Sequence, residues 1–191
     1  MSDETLFARS GLPDDLKVLV EKYPREGWHR DHTIGQMGTF WLQRHAMFRE
    51  LGAALVGATD DLKEGRREAP EFAGWFVPRL NFFLSQLEGH HQIEDQHYFP
   101  VFAAAEPRLK RGFDILDNDH HLIHELLEAN AEAARAFLDG MRAGGDKQRF
   151  AADAYGKEAE RLLEGLIRHL DDEEDLIIPL LIDRGESELG V

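Results

Sequence analysis

Histidine and glutamate recur at one spacing in two places along this chain, and that pairing suits a metal ion. His90 is followed by Glu94 and Pro100, and His169 by Glu173 and Pro179. Residues four apart on a helix stack on one face, about 5–6 Å apart at Cβ. An imidazole nitrogen and a carboxylate oxygen so placed can converge on one metal centre, and two such units suggest two halves of one site. Both glutamates interrupt stripes of apolar residues. A carboxylate at a core position is costly unless it is paired or binds a metal.

The elements that must position these groups are four long helices, because the apolar positions keep steps of three and four. The first is expected from about Ile34 to Leu62, with Trp41, His45 and Phe48 on its stripe. The second runs from about Pro70 to Ala103, its stripe passing through Phe83, Leu87, His90, Glu94, His97 and Val101. The third spans about Arg108 to Arg142 through Phe113, Leu116, His120, His124 and Leu127. The fourth spans about Lys147 to Asp183 through Leu166, His169, Glu173 and Leu176. Pro100 and Pro179 should bend or loosen the last turns of their helices. Short connections make this an all-α protein, an up-down-up-down antiparallel four-helix bundle. A short N-terminal extension helix is expected over Pro13–Tyr23, stopped by Pro24. The organisation is then an extension over 1–33, a bundle over 34–184 and a frayed tail over 185–191. The extension either covers the open end of the bundle or builds a dimer contact.

At about 1.5 Å of rise per residue, His45, His90, His120 and His169 stand level to within a few ångströms in such a bundle. Independent core histidines would have no reason to be level. There is also an internal repeat. Arg44–Leu51 aligns without a gap on Asp119–Leu126, with Arg49 opposite His124, so the site should be asymmetric. The candidate metal ligands are His45, His90, Glu94, His120, His124, His169 and Glu173. His91, Asp95, Asp119, His121 and Glu174 fall one step off the stripes and are expected around the ligands or in solvent. His97 is in phase but one turn beyond Glu94, where it would support, replace or cap the ligands. His29 and His32 in the lead-in loop carry no expected role. Trp41, Phe48, Phe83 and Phe113 should pack the core and keep bulk water from the site.

Bulk properties remove several function classes. Among 191 residues, 42% are hydrophobic, which suits one soluble domain. Asp plus Glu outnumber Lys plus Arg by 37 to 22, a formal charge of −15, which argues against nucleic acid or an anionic membrane surface. The absence of cysteine excludes disulfides, thiolate catalysis and sulfur-ligated metals. Together with an acidic start that lacks a basic-then-apolar leader pattern, it predicts a cytoplasmic location. No run of about 18 apolar residues spans a membrane.

The His90–Pro100 and His169–Pro179 stretches, with His45 and His120, resemble the hemerythrin family, and in particular the bacterial hemerythrin-like HHE cation-binding domains. The likeness covers roughly 34–183. It implies two iron ions bridged by two carboxylates and one oxygen. By position, Glu94 and Glu173 would be the bridges. His120, His124 and His169 would hold one iron; His45 and His90 would hold the other and leave a position open for O2. The glutamate four residues after His169 departs from some respiratory members, which carry an aspartate there at a longer spacing.

Imidazole and carboxylate also suit zinc and other divalent metals, so ligand type alone does not select the metal. The balance of ligands says more. Carboxylate-rich di-iron oxidases use more glutamates, in a Glu-x-x-His order, whereas here the order is His-x-x-x-Glu. A histidine-rich pair should bind O2, or another small diatomic, and release it. The leading expectation is therefore reversible O2 binding or sensing. The alternatives are an enzyme consuming peroxide or nitric oxide, and an iron-handling or redox-sensing protein acting through a protein partner. A homo-oligomer is compatible with each.

Overall fold

Each of the four long helices appears within a few residues of its expected bounds. A computed structural model describes residues 4–28, 34–143 and 145–191; His29 and His32 lie outside the described residues. After a 3₁₀ turn at Asp14–Leu16 come α1 (Val18–Lys22), α2 (Arg25–Trp28) and α3 (Gln36–Lys63). Next are α4 (Ala69–Ile93), a π-helical segment at Glu94–Tyr98 and α5 (Phe99–Ala105). A 3₁₀ turn at Pro107–Leu109 leads into α6 (Lys110–Ala143), α7 (Gly145–Arg184) and α8 (Glu186–Leu189). The long helices pack antiparallel in an all-helical bundle.

Local chemistry sets the reversals. After α3 the chain turns through Gly65 at φ +71°. Its N–H reaches Leu62 O at 3.1 Å while Arg66 N–H reaches Asp61 O at 2.8 Å. This is the paired C-terminal cap that a left-handed glycine makes possible. Gly185, at φ +79°, likewise ends α7.

The chain divides within its long helices into two compact units. One comprises Met1–Ala46, His91–His121 and Ile167–Val191; the other comprises Met47–His90 and Leu122–Leu166. In the second unit the core is aromatic: Phe72 stacks on Phe76 at 4.6 Å, and Tyr155 meets Phe76 edge-on at 5.3 Å and stacks on Phe137 at 5.5 Å. In the first unit Leu12, Leu16, Leu19 and Trp28 from the N-terminal segment share one core with Trp41, Phe99, Phe102, Phe113, Leu176 and Leu180. The extension therefore covers this part of the bundle, and it does so as a 3₁₀ turn and two short α-helices where a single helix was expected. The tail differs from its expected frayed state. It forms α8, buries Leu189, and its Glu186 Oε1 accepts from Gly38 N–H at 2.9 Å. The first turn of α3 has unsatisfied N–H groups, and a carboxylate is the acceptor that the positive helix end favours.

Glu106 fastens the end of α5. It is buried, and it accepts from Arg108 Nε at 2.8 Å and from Arg184 Nη2 at 2.8 Å. The Arg108 hydrogen bond, with help from Arg184, lowers its carboxyl from 4.5 to about 2. A depressed carboxyl adds stability above its unfolded value, and that contribution is lost as pH falls from 4.5 towards about 2. We expect Glu106→Gln to cost about 1 kcal/mol near neutrality, since both arginines are partly exposed. Urea melts at neutral pH and at about pH 3 should show the gap between the two proteins narrowing in acid.

Candidate metal centre

Two groups of buried side chains offer converging ligand atoms. In one, His91, His120 and His169 place a ring nitrogen each within 4.8 Å of one another. In the other, His45, His90, Glu94 and Glu173 do the same with nitrogens and carboxylate oxygens. His45, Glu94, His169 and Glu173 are wholly buried.

Glu173 connects the histidines of the two groups. Its Oε1 lies 3.3 Å from His45 Nε2, and its Oε2 lies 3.0 Å from His169 Nε2. Glu94 behaves similarly, with Oε2 3.6 Å from His120 Nε2. His120 Nε2 and His169 Nε2 are 3.1 Å apart. Two carboxylates within a ring of imidazoles make these buried groups a donor set that could hold metal.

Electrostatics agree with that assignment. Burial, and then the neighbouring Glu173, push the Glu94 carboxyl well above the usual range. Burial pushes Glu173 up too, but His45 and His169 outweigh it and hold the carboxyl well below its usual range. Burial opposes charge on His169 as well; hydrogen bonds to Asp119 and Glu173 prevail and raise it to about 9. His120 is lowered, chiefly by burial. In the absence of a metal, His45 and His169 are what favours the charge on Glu173, so cation and proton compete for the same atoms.

A second layer holds the rings. Glu174 Oε1 is 3.0 Å from His45 Nδ1, Asp95 Oδ1 is 2.6 Å from His120 Nδ1, and Asp119 Oδ2 is 3.4 Å from His169 Nδ1. A carboxylate can only accept, so in each case Nδ1 carries a proton, and Nε2 is the nitrogen turned inward, where a cation would take the place of any proton it holds. Trp41 does more than pack: its Nε1–H donates to Glu173 Oε1 at 2.6 Å.

Residues 37–181 match the family model described as the hemerythrin HHE cation-binding domain. The chain belongs to that family. Searches of curated proteins and of solved structures returned no match. Among the described residues, no helix of this hemerythrin-family chain is long and apolar enough to cross a membrane.

Of the seven ligands read from the sequence, six fall in the two groups, namely His45, His90, Glu94, His120, His169 and Glu173. His124 does not. Its side chain is 53% exposed and faces Glu128 at 3.5 Å. The inward face of α6 runs through His120, Ile123, Leu127, Asn130, Ala134 and Phe137, which rotates His124 outward. The fifth histidine is instead His91, expected only around the ligands. It is buried and stacks on His120 at 4.0 Å. The adjacent pair His90-His91, opposed by His169-Leu170 in the second frame, was the available signal. His97 is exposed and touches the Tyr98 ring. The π turn shifts the phase after Glu94, so Phe99 and Phe102 point inward where His97 and Val101 were expected. His121 is exposed and donates to Asp117 O at 2.8 Å. Two arginines before residue 30 also belong to this neighbourhood, and no periodicity in the sequence marks them.

Proposed function

We propose that this chain holds two iron ions between its two ligand groups and binds O2 reversibly, as a carrier or a sensor. The observation that carries the reading is Glu173, whose two oxygens face His45 and His169 separately. A carboxylate so placed suits a bridge between two metals. His91, His120 and His169 would hold one iron, His45 and His90 the other, and Glu94 and Glu173 would span them.

Bound as a ferrous pair, the metals would supply the electrons for taking up O2 and recover them on its release. The chain's own residues set the limits of that chemistry. Five imidazoles and two carboxylates compensate little positive charge, which disfavours the high-valent states that anion-rich sites support. Asp95, Asp119 and Glu174 fix the rings, so the donor set is arranged before metal arrives. Trp41, Phe99 and Phe102 are buried in the core of this unit and keep bulk water from the histidines. Phe99 lies over His120 at 5.4 Å.

The test is anaerobic loading with ferrous iron, metal analysis, and optical spectra through cycles of air and deoxygenation. Two irons per chain and a visible band that comes and goes with O2 are expected. Two irons without a reversible band would overturn O2 binding, and peroxide or nitric oxide turnover would then be assayed. Failure to retain iron would overturn the iron assignment itself.

A further inference from the structure

The two groups of ligands are backed by carboxylates, and two of those carboxylates are gripped by arginines from the N-terminal segment. Arg9 is buried, with 4% of its side chain exposed. Its Nη1 donates to Asp119 Oδ1 at 2.8 Å, Nη2 donates to Asp119 Oδ2, and Nε donates to Asp172 Oδ2 at 2.7 Å. Asp119 in turn meets His169 Nδ1. Arg25 repeats the plan on the other group. Its Nη1 donates to Glu174 Oε2 at 2.8 Å, Nε to Asp175 Oδ1 at 2.6 Å, and Nη2 to the Asp171 carbonyl at 2.6 Å. The other oxygen of Glu174 meets His45 Nδ1.

We propose that Arg9 and Arg25 are positioning residues of the metal centre, so that the N-terminal segment is a working part of the site. This rests on the metal-binding reading above. Three features support it. First, each chain of contacts ends on a ligand histidine, one in each group: Arg9–Asp119–His169 and Arg25–Glu174–His45. Second, Arg9 grips Asp119 in the planar, two-pronged way that fixes a carboxylate's rotation as well as its place, while Arg25 spreads its fork over Glu174, Asp175 and the Asp171 carbonyl. With both Asp119 oxygens held, its angle to His169 is set. Third, the segment is itself anchored. Arg168 Nη1 donates to the Arg9 carbonyl at 2.6 Å, the Arg25 guanidinium lies over the Trp28 ring, and Leu12, Leu16 and Leu19 are in the core. The arginines meet Asp171, Asp172, Glu174 and Asp175, the stretch of α7 that follows His169 and surrounds Glu173. They therefore hold the turn that carries a ligand from each group.

The probe is cobalt(II), whose visible bands report ligand geometry directly. Full-length wild type, Arg25→Met, Arg9→Lys and the remote control Arg142→Met are loaded with cobalt(II). Their spectra, the rate of cobalt loss to a chelator, and the melting temperatures of the metal-free proteins are then compared. Arg9→Lys keeps the charge and removes the fork. Arg25→Met removes a partly exposed group, so it remains testable even if changes at the buried Arg9 prevent folding. We expect shifted bands and about tenfold faster cobalt loss for Arg25→Met and Arg9→Lys, the low end of what outer partners of ligands contribute. Arg142→Met should behave as wild type. Lowered melting temperatures with unchanged spectra and release rates would reduce the arginines to structural struts and overturn the inference. A wild type that binds no cobalt would instead remove the metal-binding reading, and the inference with it.

Discussion

Replacing Glu94 with leucine should abolish metal loading and at the same time make the metal-free protein more stable. Glu94 is wholly buried, and burial and the neighbouring Glu173 penalise its charge and push its carboxyl well above the usual range. An apolar side chain of similar volume removes that penalty, for a gain of about 1–3 kcal/mol. In a chain of this size each kcal/mol moves the melting temperature by roughly 2–4 °C. Glu173→Leu should lose metal equally and move stability the other way. Glu173 is the carboxylate that both His45 and His169 face with Nε2, and its loss leaves their charge in the interior with only Glu174 and Asp119 as partners. Histidine can shed a proton, so the cost is about 2 kcal/mol rather than the larger figure for a permanently stranded ion. Thermal melts of the two metal-free variants, with metal analysis of each, check both halves. Two variants shifting in the same direction would contradict the unequal roles assigned to the two carboxylates.

The second large effect separates two histidines. His91→Ala should weaken metal binding by at least about 100-fold, beyond the roughly 10–100-fold typical of an outer partner. His124→Ala should leave affinity within about twofold and stability within about 0.5 kcal/mol, as for other exposed substitutions. Competition against a chelator of known affinity measures both. Loss of metal in His124→Ala with retention in His91→Ala would reverse the ligand assignment.

That pair also marks where the sequence was legible and where it was not. The four helices were readable because steps of three and four persist over many residues, and an error of one position does not alter the period. Six of the candidate ligands could be placed in the buried groups because each sits on such a stripe at a matching height. The seventh depended on the rotation of α6 to within one residue. His120 and His124 define one plausible face; His120, Ile123 and Leu127 define another, and apolar patterning alone does not choose. Only packing decides, and it buries Ile123 completely. The misplacement of His97 has a separate cause, a local change of helical pitch that no residue type between Glu94 and Tyr98 announces. Arg9 and Arg25 were invisible for a third reason. Their partners lie about 110–163 residues away in the chain, and long-range ion pairs leave no periodic trace.

The π turn at Glu94–Tyr98 bears on how the chain's history should be read. The two His-to-Pro frames have equal lengths, which invites a gap-free alignment as products of duplication. Yet from Glu94 the wide turn leads to Phe99, whereas from Glu173 an ordinary helical turn leads to Ile177. Pro100 then opens a new helix and Pro179 lies inside an old one. Structural equivalence therefore requires a one-residue gap inside a motif whose letters align without one. Any genealogy of such bundles built by counting letters would pair the wrong residues beyond the second ligand.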